Sequence, residues 1–424
     1  MSATDSHHAT HRTIEAVWRI ESARVIAVLT RLTRDVGLAE DFAQEALVAA
    51  LEQWPQSGVP DNPAAWLTAT AKRRAIDLFR RNAVAQRKHE ELARELEALE
   101  QTSPNLDSKL DNTISDDLLR LVFIACHPVL PTESRVALTL RLLGGLTTDE
   151  IARAFLTPES TIAQRIVRAK RTLADKQIPF EVPRGPELAA RLSSVLEVIY
   201  LIFNEGYAAT TGDDLMRPAL CEDALRLGRI LAELAPTEPE VHGLVALLEI
   251  QASRTRARVS STGEPVLLFD QDRTQWDQLL IRRGLAAIER AHTINTTRGP
   301  YLLQAEIAAC HARARTPSET DWHRIIILYS ELAQLTPSPV IELNRAVAVS
   351  MAHGPRAGLT LVDALASEPS LARYHLLPSV RADLLYKLGR HPEARAEFER
   401  AAALTQNRRE RALLLSRAAA CQSS

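Results

Sequence analysis

Residues 145–171, GLTTDEIARAFLTPESTIAQRIVRAKR, constrain the fold of this chain more than any other segment. Thr147 with Glu150 three positions later is the signature of a capping box at the start of a helix. Thr157 followed by Pro158 is typical of the N-cap and first position of the next helix. Apolar residues then recur at helical spacing, at Ile162, Ile166, Ala169 and Leu173. The pattern predicts a helix-turn-helix.

The opposite face of the second predicted helix is polar and basic. It carries Thr161, Gln164, Arg165, Arg168 and Arg171. Such side chains suit phosphates and base edges in a DNA major groove. An Arg-rich face also occurs on plain helical hairpins, where it only faces solvent. The segment by itself therefore favours DNA binding and leaves the hairpin as the alternative.

The composition predicts an all-α protein. Only 4% of the residues are aromatic and 15 of 424 are glycine, while alanine and leucine dominate, which favours helices. The length allows two or three domains with full cores. The net charge of −2 does not exclude DNA binding, because the basic residues cluster locally.

No cofactor, metal or membrane association is expected. Cys126, Cys221, Cys310 and Cys421 are widely spaced and fit a reducing cytoplasm better than a zinc site or a disulfide framework. The histidines at positions 7, 8 and 11 favour a polar tail over a metal site. No segment resembles a signal peptide or is long enough to span a bilayer. No nucleophile–base spacing indicates a catalytic residue, so we expect a cytoplasmic protein that is not an enzyme.

Two predicted helices near the N-terminus carry further distinctive surfaces. In residues 38–55, the polar side chains Asp41, Gln44 and Glu45 are neighbours, because positions i, i+3 and i+4 share a helix face. In residues 62–81, Asn62 is the expected N-cap. The second helix has a basic face formed by Lys72, Arg73, Arg74, Arg80 and Arg81. With Asp77 as its single acid, this face favours phosphate binding over simple solvation.

In this order, the segments resemble the bacterial sigma factors of the extracytoplasmic-function group, up to residue 180. AEDFAQEALVAALEQWP resembles region 2.2, which docks on the β′ clamp helices of RNA polymerase. NPAAWLTATAKRRAIDLFRR resembles regions 2.3 and 2.4, which melt and read the −10 element. Residues 130–174 resemble region 4, which reads the −35 element. The resemblance implies two partners: core RNA polymerase, through its β′ clamp and β flap, and promoter DNA.

The resemblance also assigns roles to individual residues. It directs Asp41, Gln44 and Glu45 to the polymerase clamp. The loop at residues 56–62, ending at Asn62, and the start of the following helix would meet the −10 bases. The adjacent DNA backbone would be met by Arg73, Arg74, Arg80 and Arg81, with Lys72 also assigned to DNA, although the family often has asparagine where this chain has Arg73. The −35 groove would be met by Thr161, Gln164, Arg165, Arg168 and Arg171.

The expected domain organisation has four parts. A proline-rich stretch at residues 178–186 marks the last boundary. The parts are region 2 at 13–82, a charged linker at 83–115, region 4 at 116–177 and a larger helical domain at 187–424.

The C-terminal block resembles the subgroup of these sigma factors with a long extension of tetratricopeptide-like repeats. The motifs include YLIFNEGY at 200–207, DQDRTQW at 270–276 and PSPVIELNRAVA at 337–348. In residues 381–404, Leu384 and Leu385 precede Gly389, and Ala394 and Phe398 follow, which predicts a helix, a glycine turn and a second helix. Residues 339–365 repeat this layout, with an irregular period of roughly forty residues.

Several polar residues interrupt the apolar helices of the C-terminal block. A ligand pocket or catalytic site is one interpretation, and a set of buried ion pairs and helix caps is the favoured one. The residues are Asn204, Glu205, Asp270, Asp272, Arg273, His311, Asp321, Trp322, Asn344 and Arg345.

Three functions are consistent with the sequence. The first is a sigma factor whose C-terminal domain regulates it, by inhibition or activation, through a possible protein partner or ligand. The second is a helix-turn-helix regulator with a helical sensing domain, and the third is an adaptor built on the repeats. The predicted docking helix at residues 41–54 favours the first, because a simple regulator has no need of it.

Overall fold

The computed structural model describes residues 3–83, 107–155, 157–209, 211–212, 214–260, 264–295 and 297–422. As predicted, these residues are predominantly α-helical, and they include one short parallel pairing of β1 (Thr211–Gly212) with β2 (Gln406–Asn407). No helix among them is long and apolar enough to cross a membrane. The chain divides into two compact units, Met1–Ile199 (unit 1) and Tyr200–Ser424 (unit 2).

Unit 1 contains seven helices within its described residues and the first part of an eighth. They are α1 (Ala3–Thr33), α2 (Val36–Ser57), α3 (Pro63–Ala83), α4 (Asp107–Ala125), α5 (Thr132–Leu142), α6 (Thr148–Ala154), α7 (Glu159–Asp175) and α8 (Pro186–Tyr207). Helix α4 begins inside the predicted linker, of which residues 84–106 lie outside the described residues.

The first three helices pack together around large apolar side chains. Leu29 of α1, Trp54 of α2 and Leu67 of α3 are almost fully buried. Asp35 sets the start of α2, because its carboxylate accepts a hydrogen bond from the Leu38 amide at 3.0 Å. The predicted cap of α3 is confirmed, since Asn62 Oδ1 accepts from the Ala65 amide at 2.9 Å.

Helices α6 and α7 form the predicted helix-turn-helix. The capping box is confirmed: the Glu150 amide donates to Thr147 Oγ1 at 3.1 Å and the Thr147 amide donates to Glu150 Oε2 at 2.7 Å. The apolar residues of α7 are all buried, as predicted: Ile162, Ile166, Ala169 and Leu173.

The predicted N-cap of α7 is wrong. The helix begins at Glu159 after Pro158, and no side chain caps it. The Thr157 hydroxyl instead donates to the Phe155 carbonyl at 3.1 Å. The hydroxyl therefore stabilises the turn between the helices and leaves the first amides of α7 exposed to solvent or to a ligand.

The first part of α8 binds to helices α4 and α5 of unit 1. Arg191 donates to the Phe123 carbonyl at 3.0 Å and Ser194 donates to the Cys126 carbonyl at 2.6 Å. Arg135 forms an ion pair with Glu197 at 3.1 Å. Unit 1 therefore uses side chains that lie after the predicted proline-rich boundary.

Unit 2 consists of helices that pack mainly on their neighbours in sequence. They are α9 (Pro218–Leu234), α10 (Pro239–Ala252), α11 (Gln278–Ile294), α12 (Pro300–Arg313), α13 (Trp322–Leu335), α14 (Pro339–His353), α15 (Pro355–Ala364), α16 (Leu376–Lys387), α17 (His391–Leu404) and α18 (Arg408–Ala420).

The two predicted helix–turn–helix pairs of unit 2 are confirmed. Gly354 separates α14 from α15 with φ of 91°, and Gly389 separates α16 from α17 with φ of 75°. Both turns require the left-handed backbone region that glycine adopts without strain. At the α16–α17 crossing, Ala394 and Phe398 are buried, in keeping with the predicted packing.

Asn407 ties the end of unit 2 to its beginning. Its side-chain nitrogen donates to the carbonyls of Ala209 at 3.1 Å and Asp214 at 2.9 Å. Its side-chain oxygen accepts from the amides of Arg409 and Glu410 and so caps α18. One fully buried amide thus fixes both the last helix and the loop after α8.

Candidate polymerase and DNA interfaces

The predicted polymerase-binding residues form one surface on α2, which we call the α2 acidic patch (Asp41, Gln44 and Glu45). Asp41 and Glu45 are exposed. Gln44 is half-buried, and its side-chain amide donates to Glu40 Oε1 at 2.5 Å. Two carboxylates are therefore available to a basic partner, with Gln44 held in place beneath them.

The predicted −10 surface lies along α3. Asn62, Arg73 and Arg74 are exposed and Lys72 is half-buried. Arg74 Nη1 lies 3.0 Å from Glu45 Oε2, so the basic face of α3 contacts the α2 acidic patch directly. The other two predicted residues, Arg80 and Arg81, belong to α3, but their side chains lie outside the described set.

The predicted −35 surface lies on α7. Gln164, Arg168 and Arg171 are exposed, and Thr161 and Arg165 are half-buried. Arg171 contacts Asp175 at 3.4 Å, yet 80% of its side chain is exposed. Most of the polar face is therefore open to solvent, at Gln164, Arg168 and Arg171.

Val167 adds an apolar element to this surface that the sequence reasoning missed. It lies between Gln164 and Arg168 on the open face of α7 and is 63% exposed. A branched apolar side chain on a basic recognition surface can contact the methyl group of thymine. In the sequence, Val167 falls outside the spacing of the buried apolar residues of α7, and this could have identified it as an exposed apolar residue.

Glu40 joins the two predicted DNA-reading parts of unit 1. Its side chain is 3% exposed and pairs with Arg141 of α5, whose Nε lies 2.6 Å from Oε1, and with Lys170 of α7. Burial alone raises the pKa of a carboxyl group, but here the two cations outweigh burial, and the pKa of Glu40 lies below its usual value. Helix α2 is therefore held against α5 and α7 by a charged carboxylate.

A second ion pair, between more exposed side chains, links α1 to α6. Arg19 Nη2 lies 3.3 Å from Glu150 Oε1, the carboxylate that also completes the capping box. Beside it, Gly145 lies so close to α1 that a Cβ there would meet Ser22 Oγ at 2.9 Å. The predicted region 2 and region 4 segments thus pack against each other within unit 1.

Comparisons with known proteins agree with this arrangement. A sigma-70 region 2 model matches residues 19–84 and a sigma-70 region 4 model matches residues 120–173. A family of unknown function (DUF6596) matches residues 191–292.

The similar proteins fall into two groups, one matched over most of this chain and one matched over less than half of it. An uncharacterized protein of Rhizobium meliloti, R00370, is 44% identical over 92% of each chain. The extracytoplasmic-function (ECF) RNA polymerase sigma factor SigK of Mycobacterium ulcerans is 32% identical over 35% of this chain and 78% of its own. The probable ECF sigma factor SigI of Mycobacterium tuberculosis is 26% identical over 41% of this chain and 58% of its own. The chain belongs to the ECF sigma factor family.

Seven of the ten residues that the sequence analysis named in unit 2 of this sigma factor fall into two sets. Asp321 caps α13, accepting from the Arg324 amide at 2.9 Å, and Arg273 donates to the carbonyls of His311 and Ala314. Glu205 pairs with Arg217 and Arg345 with Glu342, so the favoured structural interpretation holds for this set. The second set, Asn204, His311 and Asn344, lines a cavity inside unit 2.

Proposed function

We propose that this ECF sigma factor binds core RNA polymerase and directs it to promoters through two DNA-reading surfaces. The observation that carries the proposal is the joint exposure of the α2 acidic patch and of the basic face of α7 in one unit. A DNA-binding regulator needs only the second surface, whereas a sigma factor needs both. Neither role requires a catalytic residue or a cofactor.

We assign the α2 acidic patch to the β′ clamp of the polymerase and region 4 to its β flap. Exposed carboxylates at Asp41 and Glu45 favour a basic partner surface and speed its association. The Arg74–Glu45 ion pair is exposed on both sides, so its loss on binding costs little.

We assign α3 to the −10 element and α7 to the −35 element. On α3 the contacts come from Asn62, Lys72, Arg73, Arg74, Arg80 and Arg81. On α7 they come from Thr161, Gln164, Arg165, Arg168 and Arg171, with Val167 as an apolar addition. The proposed domains are region 2 at 13–82, a linker at 83–115, region 4 at 116–177 and the extension at 187–424.

The two promoter elements are separate, so α3 and α7 have to move apart when both are bound. We propose that polymerase binding breaks the contacts of Glu40 with Arg141 and Lys170. The patch residue Gln44 donates to the same Glu40 carboxylate, which places the polymerase surface one hydrogen bond from the contact that has to open.

We propose that unit 2 is a tetratricopeptide-like domain that regulates the sigma factor. Its successive helix pairs with glycine turns support a repeat architecture, which usually presents a binding surface. Whether it inhibits or activates is decided by comparing the full chain with a chain ending at Ile199. A chain ending at residue 180 would lose Arg191 and Ser194 and their contacts in unit 1.

The decisive experiment is transcription by purified core polymerase with this protein on a promoter library. The variant Asp41→Lys with Glu45→Lys should lose both co-purification with polymerase and transcription while keeping its helical content, because charge reversal at a complementary interface costs several kcal/mol. The matched control is Glu233→Lys with Glu289→Lys, which makes the same charge change at exposed positions of unit 2.

Two results would overturn the proposal. Co-purification of the double variant at the wild-type level would remove the α2 acidic patch from the interface. Specific promoter binding by the wild-type protein alone, with no transcription when polymerase is added, would support the helix-turn-helix regulator instead.

A further inference from the structure

Unit 2 contains a cavity of about 450 Å³. Its wall is formed by α8, α10, α12, α13, the start of α14 and the segment after α10. This volume lies within the range of small-molecule sites. The cavity belongs to unit 2 alone and is separate from the two interfaces proposed for unit 1.

Arg254 lines the cavity with a buried and unpaired charge. The residue is 8% exposed, and its Nε has no hydrogen-bond partner. Within the part of the chain that the structure describes, no hydrogen bond or ion pair reaches its guanidinium group. It lies over the ring faces of Tyr207 and Trp276, whose centroids lie 5.9 and 5.7 Å from Cζ, and it interacts electrostatically with Tyr329 of the cavity wall.

The surroundings add positive charge to the site. Arg258 lies over the Tyr207 ring at 3.7 Å, and Arg273 lies over the Trp276 ring at 4.8 Å. Both donate to backbone carbonyls, and among the described residues neither pairs with a carboxylate within 4 Å. Glu410 and Glu319 influence these two arginines from a distance, but they bind Thr405 and the Arg315 amide.

His311 does not change the net charge of the site. It lies in the cavity wall, and burial together with Arg254 and Arg273 lowers the pKa of its imidazole to about 4. The ring is therefore neutral at physiological pH. Its edge-to-face contact with Trp322, at 5.2 Å between centroids, fixes its orientation.

A buried guanidinium without a partner is costly, and its planar fork of donors matches a carboxylate. The rest of the wall supplies an apolar surface, against which a ligand can pack, and polar atoms without hydrogen-bond partners. Phe203, Leu332 and Ile307 are buried apolar residues of the wall. Gln251 Oε1 and the Tyr207 hydroxyl are buried without hydrogen-bond partners in the described structure.

We propose that this cavity binds a small organic acid, with its carboxylate on Arg254 and its flat apolar body against Phe203 and Leu332. The unpaired oxygen of Gln251 and the hydroxyl of Tyr207 would receive polar substituents of that body. The ligand class follows from one uncompensated buried cation beside an apolar wall, and it does not depend on the proposed promoter function.

The test measures binding of sodium benzoate and 4-phenylbutyrate to the full-length protein, by calorimetry and by thermal shift. Both acids should bind and raise the melting temperature. Benzyl alcohol, which lacks the charge, and acetate, which lacks the apolar body, should bind more weakly. Arg254→Met should weaken binding of the acids by at least about tenfold, since a hydrogen bond to a charged group is lost.

The matched control is Arg282→Met, which removes the same side chain from an exposed position of α11 and should bind like the wild type. Arg254→Lys keeps the buried charge but lacks the planar fork, so it tests the site even if Arg254→Met does not fold. It too should bind the acids more weakly.

Four outcomes would overturn the proposal. One is failure of both acids to bind the folded wild-type protein at millimolar concentration. Another is wild-type binding by Arg254→Lys together with Arg254→Met. A third is equal binding of acetate and benzoate, which would remove the apolar body from the ligand. The fourth is binding of phenyl phosphate in place of the two acids, which would overturn the carboxylate assignment.

Discussion

Glu40 in unit 1 and Arg254 in unit 2 are both buried charges, and their surroundings are opposite. Glu40 is 3% exposed and is held by Arg141, Lys170 and Gln44. Arg254 is 8% exposed and contacts aromatic rings, with no counter-ion among the described residues. A fold that pairs one buried charge this completely and leaves another unpaired is using the two for different purposes.

The contrast is not a general difference between the units. Glu306 of unit 2 is buried and accepts from Arg298 at 3.2 Å and from Arg324 at 3.0 Å, much as Glu40 is paired in unit 1. Unit 2 therefore can supply counter-ions to buried charges. The neighbouring Arg258 and Arg273 also lack a carboxylate partner, but they donate to backbone carbonyls, whereas the guanidinium of Arg254 has no hydrogen-bond partner among the described residues. A ligand explains this difference better than imperfect packing.

The largest expected effect is on the paired charge. Glu40→Gln should lower the free energy of unfolding of unit 1 by about 3–5 kcal/mol, because Arg141 and Lys170 are left partly buried without their carboxylate. Urea unfolding of a chain ending at Ile199 measures this. Glu45→Gln, which breaks an exposed ion pair, is the matched control and should cost about 1 kcal/mol or less. Equal losses in the two variants would show that burial of the Glu40 pair contributes nothing.

The unpaired charge should respond in the opposite direction. Arg254→Met removes an uncompensated cation from an apolar site, so the ligand-free protein should become more stable. The expected gain is about 0.5–2 kcal/mol, the usual size when a stabilising residue replaces one that is kept for function. Thermal unfolding of the full chain measures it, with Arg282→Met as the control. A loss of stability as large as that of Glu40→Gln would end the contrast, since Arg254 would then be a structural residue.

The pH dependence of stability sharpens the comparison further. The pKa of Glu40 is lower in the folded protein than its usual value of 4.5, so its stabilisation is present above that value and is lost as pH falls through the folded pKa. The difference in unfolding free energy between wild type and Glu40→Gln should therefore be constant near neutral pH and shrink below pH 4.5. A difference that stays constant down to acid unfolding would mean that the charge of Glu40 does not stabilise the fold.

The last comparison is between two cations of α7, an exposed one and a paired one. Arg168 is exposed, and Arg168→Ala should lower the salt slope of promoter binding by about one if it contacts a phosphate, or relax preference at one −35 position by about 1–3 kcal/mol if it contacts a base. Lys170 binds Glu40, so Lys170→Ala should destabilise unit 1 and leave the slope unchanged. If Arg168→Ala keeps both the specificity and the slope of the wild type, α7 does not lie on DNA.

The sequence predicted those features that depend on nearby residues. The capping box of Thr147 with Glu150, the cap at Asn62 and the buried stripe of α7 all follow from spacings of three or four residues. The prediction failed at Thr157, two residues before the start of α7. Its hydroxyl could accept a hydrogen bond from an amide of the first turn of α7 or donate one to a nearby carbonyl. It donates to the Phe155 carbonyl.

The sequence predicted the interface surfaces as exposed helix faces, but it did not predict the ion pairs of Glu40 that connect the helices carrying them. Arg141 lies 101 positions from Glu40 in sequence, and no periodicity relates them. Arg254 was missed for a similar reason, because RTRAR at 254–258 has the composition of an exposed basic turn. The structure buries its first arginine beside Tyr207 and Trp276, which come from different parts of the chain.

By itself, the sequence determined the main helices, the caps at Thr147 and Asn62, the buried stripe of α7 and the family, because these depend on local spacing and on motifs that stand in order along the chain. Only the tertiary structure decided which charges are paired. Coulomb interactions depend on distance through space and on burial, and both are set by contacts between distant segments. For that reason the pairing of Glu40 and the unpaired state of Arg254, with the cavity beside it, became visible only in the folded chain.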